Sequence, residues 1–167
     1  MTARLVVTGH QDGRSVFVRD DEVESVEMPG AGYLYPFWSA NEAATLPGPG
    51  ENPRAPEFFP PLGGVRFFTM VMTPGEVATV EQGGSDHLGG DLAASMDADD
   101  PGMHATDSTD FALVTSGRVG LELDDKAEVV LSAGDACIQN GTRHRWHNRG
   151  TEPAVMAVAM VGLPRTT

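Results

Sequence analysis

Short stretches in which apolar and polar residues alternate recur along the chain, and they predict β-strands. The pattern is clearest in Arg118–Leu123, where Val119 and Leu121 alternate with polar residues or glycine, as a half-buried strand requires. No long segment has apolar residues at the three- and four-residue spacing of an amphipathic helix. Twenty glycines and twelve prolines separate the strand-like stretches. The pattern therefore predicts an all-β protein.

Strands of this length at regular spacing predict a closed or two-sheet antiparallel architecture, because an open sheet would leave long edges exposed. A jelly roll or small barrel fits. Residues 65–167 are expected to form the barrel, and residues 1–64 to add N-terminal strands and a proline-rich arm within the same structural domain. Residues 83–102 are expected to form an irregular lid with a short helix at Leu88–Met96. Other predicted strands are Val65–Met72, Glu76–Glu81, Phe111–Thr115, Arg143–His147 and Ala154–Val161.

Charge and cysteine content narrow the class of protein. Eleven basic residues against twenty-four acidic ones give a net charge of −13, which leaves no basic surface for nucleic acid. The single cysteine, Cys137, excludes an intramolecular disulfide and favours a cytoplasmic setting. The longest apolar run, Ala154–Leu163, has about half of the roughly 20 residues needed to span a bilayer, and the N-terminus lacks a signal-peptide core. We expect a soluble protein that binds neither nucleic acid nor membrane.

Acidic residues dominate the stretch between Arg66 and Arg118, which contains nine of them and no lysine or arginine. Such a stretch is either a solvated acidic loop or an acidic rim around a site. An acidic rim would attract cations and discourage polyanionic substrates. The sequence leaves both interpretations open.

Imidazole and carboxylate groups cluster in the C-terminal half of the chain. Together they are a ligand set for Zn, Fe, Mn or Ni. A straight strand would place His104 and Asp110 roughly 20 Å apart at ~3.3 Å per residue, so the polar residues between them must turn if the two are to share an ion. His144 and His147 are three positions apart on a predicted strand, so only one of them faces the barrel interior. The clustered residues are His104, Asp107, Asp110, His144 and His147.

These residues resemble the two signatures of the cupin superfamily, small jelly-roll β-barrels that usually hold a metal. The resemblance covers roughly residues 65–162. Thr106 stands where the family has a second histidine, Asp110 where it has glutamate, and Gln139 where it has proline. The second signature is also one residue short. The first runs as His104-Ala105-Thr106, three residues, Asp110, six residues, Gly117; the second runs as Gly134-Asp135, then Gln139-Asn140-Gly141, two residues, His144, three residues, Asn148.

The resemblance implies that His104, Asp110 and His144 hold one divalent metal, with Fe(II) favoured and Zn(II), Mn(II) or Ni(II) as alternatives. Two imidazoles and one carboxylate match a facial triad, which leaves coordination positions open for substrate, water or dioxygen. Asp107 is the alternative carboxylate, and the missing signature histidine makes a metal-free protein the alternative to a metal site. The resemblance also implies a homodimer that pairs through its N-terminal region.

Further residues are candidates for catalysis and for substrate binding. His147, Asp107 and His87 are candidate general acids or bases, His147 if its strand is bulged and His87 if the lid carries it to the site. Core packing is the alternative for the aromatic residues of the N-terminal third. The candidate substrate contacts are Thr106, Gln139, Trp146, Tyr35 and Trp38.

Such a barrel supports three functions, because a fold does not determine its chemistry. The first is a mononuclear Fe(II) dioxygenase acting on a small organic molecule, in a pocket that excludes water. The second is a lyase, dehydratase, decarboxylase, cyclase or isomerase that uses Zn(II) or another Lewis acid, or no metal, and needs a well-placed acid or base. The third is a non-catalytic barrel that binds a small molecule.

Overall fold

The computed structural model describes residues 2–28, 31–48, 50, 55–75 and 90–166. These residues are mostly β-strand, which confirms the predicted class. Within the described ranges the structure has a single α-helix, α1 (Gly90–Ser95), and no helix there is long and apolar enough to cross a membrane. The strands are β1 (Thr2–Gln11), β2 (Arg14–Glu24), β3 (Val26–Met28), β4 (Gly32–Ala40), β5 (Val65–Met72), β6 (Ser108–Ser116), β7 (Arg118–Glu122), β8 (Glu128–Ser132), β9 (Ala136–Asn140), β10 (Arg145–His147) and β11 (Ala154–Gly162).

The strands form two facing sheets and a separate hairpin. The large sheet has six strands in the order β3-β4-β5-β11-β6-β9, and the small sheet has three in the order β10-β7-β8. Among the described strands, β1 and β2 pair with each other in a two-stranded sheet. All of these pairings are antiparallel, and buried side chains of both larger sheets belong to one hydrophobic core. This arrangement is the predicted jelly roll.

The alternating pattern of the sequence determines which side chains enter the core. Along β11, every second residue from Ala154 to Met160 is buried and the residues between them are partly exposed. The same alternation along β6 turns Ala112, Val114 and Asp110 inward. Because a strand alternates its faces, Asp110 is carried into the interior together with its apolar neighbours. A carboxylate thus lies between two sheets of apolar side chains.

The predicted strands agree with the observed ones at several points. Val65–Met72 is β5 without change, and Ala154–Val161 is β11 short of one residue. The strand predicted at Arg143–His147 is shorter in the structure, because β10 begins at Arg145 and His144 pairs instead through an isolated bridge. The short helix expected at Leu88–Met96 is α1, while the strand expected at Glu76–Glu81 lies outside the described residues.

Candidate functional site

A cavity of about 70 Å³ lies between the inner faces of the two larger sheets. Three of its lining residues carry ionisable side chains, namely His104, Asp110 and His144. The other described lining residues are apolar or aromatic, so the three ionisable groups stand in an otherwise apolar wall. The apolar and aromatic lining residues are Met28, Ala31, Phe58, Phe59, Phe68, Met70, Leu92, Met96, Trp146, Met156, Val158 and Met160.

Backbone pairing places the two histidines next to each other. His104 donates its N–H to the carbonyl of His144 at 3.0 Å, and His144 donates to the carbonyl of His104 at 2.9 Å. This isolated antiparallel bridge brings the ring centroids to 4.5 Å from each other. The Trp146 ring meets the His144 ring edge-on at 5.8 Å. The pair of imidazoles is therefore held by the main chain as well as by side-chain packing.

A hydrogen bond to the main chain selects the tautomer of each imidazole. The Nδ1 of His104 lies 3.0 Å from the carbonyl of Gly102, and the Nδ1 of His144 lies 2.9 Å from the carbonyl of Thr142. A carbonyl oxygen only accepts, so Nδ1 must carry the proton in both rings. A neutral ring with a proton on Nδ1 has its lone pair on Nε2. This is the form in which histidine binds a metal, with its second nitrogen anchored.

Burial determines the charge of all three groups. It lowers the pKa of His104, and it lowers the pKa of His144 to about 4, with the neighbouring His104 adding to the effect. Burial also raises the pKa of Asp110 to about 6. In each case the low-dielectric surroundings disfavour the charged form. At neutral pH both imidazoles are neutral, while Asp110 carries a charge that a cation would stabilise.

A chain of hydroxyl groups supports Asp110 from outside the described cavity lining. The Ser108 hydroxyl lies 2.6 Å from Oδ1 of Asp110 and donates to it, and it lies 2.9 Å from Oγ1 of Thr106. Ser108 and Thr106 are both buried. The Ser108 hydrogen bond opposes the effect of burial on the pKa of Asp110. Ser108 was not predicted, although its position two residues before Asp110 places it on the same face of β6.

The three groups have the right chemistry for a metal and a wider spacing than a bound metal requires. The ligand atoms of His104, Asp110 and His144 do not all lie within 4.8 Å of one another. Ligand bonds of about 2.1 Å place neighbouring donor atoms closer than this. Side-chain rotation of Asp110 or of the imidazoles would have to bring the donors together around an ion.

Comparison with known families identifies the fold that carries this site. The cupin domain family (Cupin_2) matches residues 96–161, a range that includes both histidines and Asp110. The matched region, 66 of the 167 residues, is similar to a cupin domain. This confirms the resemblance read from the two signatures, while the metal motif itself is not part of what the match establishes.

Two curated relatives of this chain are named as biosynthesis cluster proteins. The phomopsin biosynthesis cluster protein C' of Diaporthe leptostromiformis is 43% identical over 47 residues, which is 28% of this chain and 25% of the relative. The oryzines biosynthesis cluster protein J of Aspergillus oryzae is 35% identical over 49 residues, or 29% of this chain and 27% of the relative. The match thus spans about a quarter of the length of each relative.

Solved structures similar to this chain include a cupin 2 conserved barrel domain protein from Salinispora arenicola. The two chains are 19% identical, and the alignment covers 68% of this chain and 69% of the other with a TM-score of 0.41.

A second group of potential ligands lies apart from the described cavity lining. Glu122, Glu128 and His147 have ligand atoms within 4.8 Å of one another. Nε2 of His147 lies 3.3 Å from Oε1 of Glu128, and the His147 ring packs directly over Gly120. Although this histidine is buried, it is not among the described residues that line the cavity.

Arginines already balance the carboxylates of this second group. Arg145 contacts Glu122 through Nε and Nη2, at 3.0 and 2.7 Å, and Arg149 contacts Glu128 at 2.7 Å. These arginines lower the pKa of both glutamates. A metal bound here would have to displace the guanidinium groups, so the cluster is an ion-pair network in this structure.

The proposed substrate contacts divide into two groups. Trp146 lines the cavity beside His144, whereas Tyr35, Trp38, Thr106 and Gln139 are not among its described lining residues. Gln139 is buried, and its Oε1 accepts a hydrogen bond from the hydroxyl of Thr142. Tyr35 is buried, and its ring meets that of Tyr33 edge-on at 5.9 Å.

The remaining candidate acids and bases lie away from the described cavity lining. Asp107 is exposed and its carboxylate accepts from Nε of Arg165 at 2.5 Å. His87 lies outside the described residues. The two candidate acids or bases that the structure describes are Asp107 and His147. Neither is among the described residues that line the cavity.

Phe58 and Phe59 are held in the cavity wall from two sides. The Asp91 carboxylate in α1 accepts the backbone N–H groups of Phe58 and Phe59 at 3.0 and 2.8 Å. The buried Arg66 guanidinium donates to the carbonyls of the same two residues at 3.2 and 2.9 Å. Sequence reasoning placed this segment in a proline-rich arm and did not connect it with the site. The signal was its two adjacent phenylalanines within an otherwise polar, proline-rich stretch.

Several residues of the acidic stretch fasten the segment that follows α1. Asp97 pairs with Arg143 at 2.7 Å, and Asp100 pairs with Arg145 at 2.9 Å. These contacts connect the segment after α1 to the region around β10. These acidic residues therefore anchor the segment that follows α1 through ion pairs. The sequence had suggested a solvated loop or an acidic rim, and neither interpretation included such ion pairs.

Proposed function

We propose that this protein is an enzyme that holds one divalent metal ion with His104, His144 and Asp110 and acts on a small organic molecule in the adjoining cavity. The observation that carries the proposal is the pair of neutral imidazoles, each anchored at Nδ1, beside a buried carboxylate. Metal binding requires unprotonated imidazole and ionised carboxylate. Fe(II) is the favoured ion because non-haem iron oxygenases use two histidines and one carboxylate.

The protein's own residues would orient the substrate and exclude water. The apolar cavity wall, which includes Phe58 and Phe59, would shield a substrate from solvent. The hydroxyl of Ser108 would hold the Asp110 carboxylate in one orientation. Bound Fe(II) would supply the redox chemistry that a reaction with dioxygen needs. This distribution of roles corresponds to an Fe(II) dioxygenase.

The location of the two described candidate acids and bases, His147 and Asp107, favours an oxygenase over a Lewis-acid lyase. A lyase needs a separate acid or base beside the metal. His147 is held by Glu128 and Arg149 and Asp107 by Arg165, and none of these residues is part of the described cavity lining. The described wall therefore offers the three candidate ligands and no further ionisable group.

One observation favours a second candidate, a metal-free lyase or isomerase. The raised pKa of Asp110, about 6, lies in the range that suits a general base near neutral pH. The donor atoms of the three groups are also more widely spaced than a bound ion requires. In this reading Asp110 removes a proton from the substrate and the imidazoles donate or accept hydrogen bonds. A barrel that only binds its ligand is the third possibility.

The curated relatives support an activity on small molecules. Both are named as biosynthesis cluster proteins. The substrate of this chain, its cytoplasmic location and its homodimeric state stay predictions. Light scattering tests the dimer, and a monomer at micromolar concentration would contradict it.

A thermal-shift titration followed by oxygen-uptake assays tests the proposed function. Binding at about 100 times the dissociation constant stabilises a fold by about 2.7 kcal/mol, which corresponds to a rise of several degrees in the melting temperature. Fe(II), Mn(II), Ni(II) or Zn(II) should produce this rise in the parent and in His10→Ala, whose histidine is exposed. The rise should vanish in His104→Ala and in His144→Ala. If no metal stabilises the parent, the metal-free candidate replaces the proposal.

A further inference from the structure

The outer face of the large sheet is exposed and apolar. Because strands alternate their faces, the residues between the buried positions of β5, β6, β9 and β11 point away from the core. The most exposed apolar residues among them are Ile138 at 53%, Phe111 at 50%, Leu113 at 45% and Phe67 at 41%. The outer face consists of these four residues together with Val65, Thr69, Thr109, Thr115, Ala136, Asn140, Val155, Ala157, Ala159 and Val161.

Strand pairing makes these side chains one continuous surface. Phe111 lies opposite Ile138 on β9 and opposite Ala159 on β11. Ala159 in turn lies opposite Phe67 on β5. One row of apolar side chains therefore crosses four strands. Because alanine is small, Ala159 leaves a shallow depression between the rings of Phe111 and Phe67, which a bulky side chain of another surface can fill.

None of the described residues of this outer face carries a charge. The chain as a whole has eleven basic and twenty-four acidic residues and a net charge of −13. Two copies of the chain therefore repel each other at long range. On the outer face they can meet without bringing like charges together. A large exposed patch that is apolar and free of charge is typical of a protein–protein interface.

The hairpin of β1 and β2 offers a less suitable surface for such a contact. It carries the exposed ion pairs of Arg4 with Asp20 and of Arg19 with Asp21. Phe17 is 78% exposed on this hairpin, but the polar residue Thr8 lies opposite it. Pairing through the N-terminal region, as the family resemblance implies, would bring charged groups of two acidic chains together.

The size of the outer face meets the requirement of a specific interface. Four strands about 4.8 Å apart, with about seven residues at ~3.4 Å per residue, cover roughly 20 Å by 24 Å. Packing two such faces together buries about 1,000 Å² before the relief of the side chains is counted, which reaches the lower limit of about 1,000 Å² for a specific interface. An interface of this size, formed by apolar side chains, is sufficient for a reversible dimer.

We propose that a second copy of this chain packs on the outer face of the large sheet, so that the two sheets lie back to back in a symmetric dimer. Each copy then presents the same face to the other, as in most two-fold dimers. Sheets packed face to face lie about 10 Å apart with interdigitated side chains. Asp110 and Phe111 are neighbours on β6 and point to opposite faces, so the dimer is independent of any metal in the cavity.

Sedimentation equilibrium of the full chain and of three variants tests the proposal. The parent should dimerise at micromolar concentration. Phe111→Glu and Ile138→Glu should each weaken the dimer about tenfold or more, because each buries a charge without a partner in the interface. Phe17→Glu is the matched control, an exposed apolar residue on the hairpin, and it should keep the parent affinity within about twofold. Circular dichroism checks that each variant is folded.

A salt series on the parent alone makes the test independent of how the variants fold. Raising the salt concentration from about 0.1 M to about 1 M shortens the screening length from ~10 Å to ~3 Å. An apolar interface between two acidic chains should then tighten several-fold, whereas an interface held by ion pairs should weaken. A monomeric parent, a dimer that salt weakens, or a dimer that Phe17→Glu dissociates and Phe111→Glu does not would each overturn the proposal.

Discussion

His104 and His144 are 40 residues apart in the chain, yet each donates its backbone N–H to the carbonyl of the other, at 3.0 and 2.9 Å. The bridge brings their imidazole rings to a centroid separation of 4.5 Å. Because the main chain makes this contact, the histidine pair is in place before any ligand binds. Preorganised groups bind ions and substrates without the cost of ordering their side chains.

The buried Asp110 carboxyl should make the metal-free protein sensitive to pH. Its pKa in the folded protein is about 6, above its ordinary value of 3.8, because burial disfavours the charge. A raised pKa in the folded state contributes stability that is fully present below pH 3.8 and is lost as the pH rises through about 6. Asp110→Asn cannot ionise. Relative to the parent, it should gain about 2–3 kcal/mol in free energy of unfolding between pH 4 and pH 7.

Chemical denaturation in the presence of a chelator measures this difference. The lowered pKa of His144 acts in both proteins, so its contribution largely cancels when the two are compared. Asp99→Asn, at an exposed position, is the control and should show no such gain. A difference between Asp110→Asn and the parent that stays constant from pH 4 to pH 7 would contradict the buried carboxylate.

Ser108 should act on metal binding through Asp110. Its hydroxyl donates to Oδ1 of Asp110 at 2.6 Å and so holds the carboxylate in the orientation seen here. Removal of such a supporting hydrogen bond typically costs 10–100-fold in metal affinity, and we expect Ser108→Ala to lose about that much. Competition with a metal-sensitive dye at pH 7 measures it. Ser116→Ala, exposed on the same strand, should keep the parent affinity. Equal affinities for the two variants would show that Ser108 has no positioning role.

Asp91 should hold Phe58 and Phe59 in the wall of the cavity. Its two carboxylate oxygens accept the N–H groups of Phe58 and Phe59. Asp91→Ala leaves both donors without this partner, and we expect it to lower the free energy of unfolding by about 1–3 kcal/mol. Hydrogen exchange should accelerate specifically at Phe58 and Phe59. Unchanged exchange at these two amides would mean that other contacts suffice to hold these residues.

Gly120 provides the space in which the His147 ring packs. A Cβ atom at residue 120 would lie 2.2 Å from Cδ2 and Nε2 of His147. Gly120→Ala must therefore displace the ring, and we expect a loss of about 1–3 kcal/mol in stability. In the double variant with His147→Ala most of this loss should disappear. A double-mutant cycle from urea denaturation reports the coupling, and strictly additive effects would show that the steric contact is unimportant.

The barrel could be predicted from sequence because its signal is local. The alternation of apolar and polar residues along β11 and β6 predicts which side chains face inward, and turn residues indicate where strands end. Asp110 follows the same rule, since its position in the alternation of β6 carries it into the core. The pairing of His104 with His144 is not local, and it could be predicted only through the spacing of the family signatures.

The position of Phe58 and Phe59 in the cavity wall could not be predicted, because it depends on contacts between segments that are distant in sequence. Phe58 lies 33 residues from Asp91 in sequence, and no local pattern connects the two. The burial of Arg66 is also exceptional, because arginine side chains are usually exposed at the surface. Its burial is explained only when the surrounding backbone carbonyls that accept its hydrogen bonds are known.

Elemental analysis of protein purified without a metal-affinity tag decides whether the two histidines of the cavity hold an ion. The parent is compared with His104→Ala, His144→Ala and His147→Ala. We predict close to one metal ion per chain in the parent and in His147→Ala, and its loss from both cavity variants. Metal that persists in His104→Ala and His144→Ala but disappears from His147→Ala would place the ion at the Glu122–Glu128–His147 cluster and contradict the cavity site.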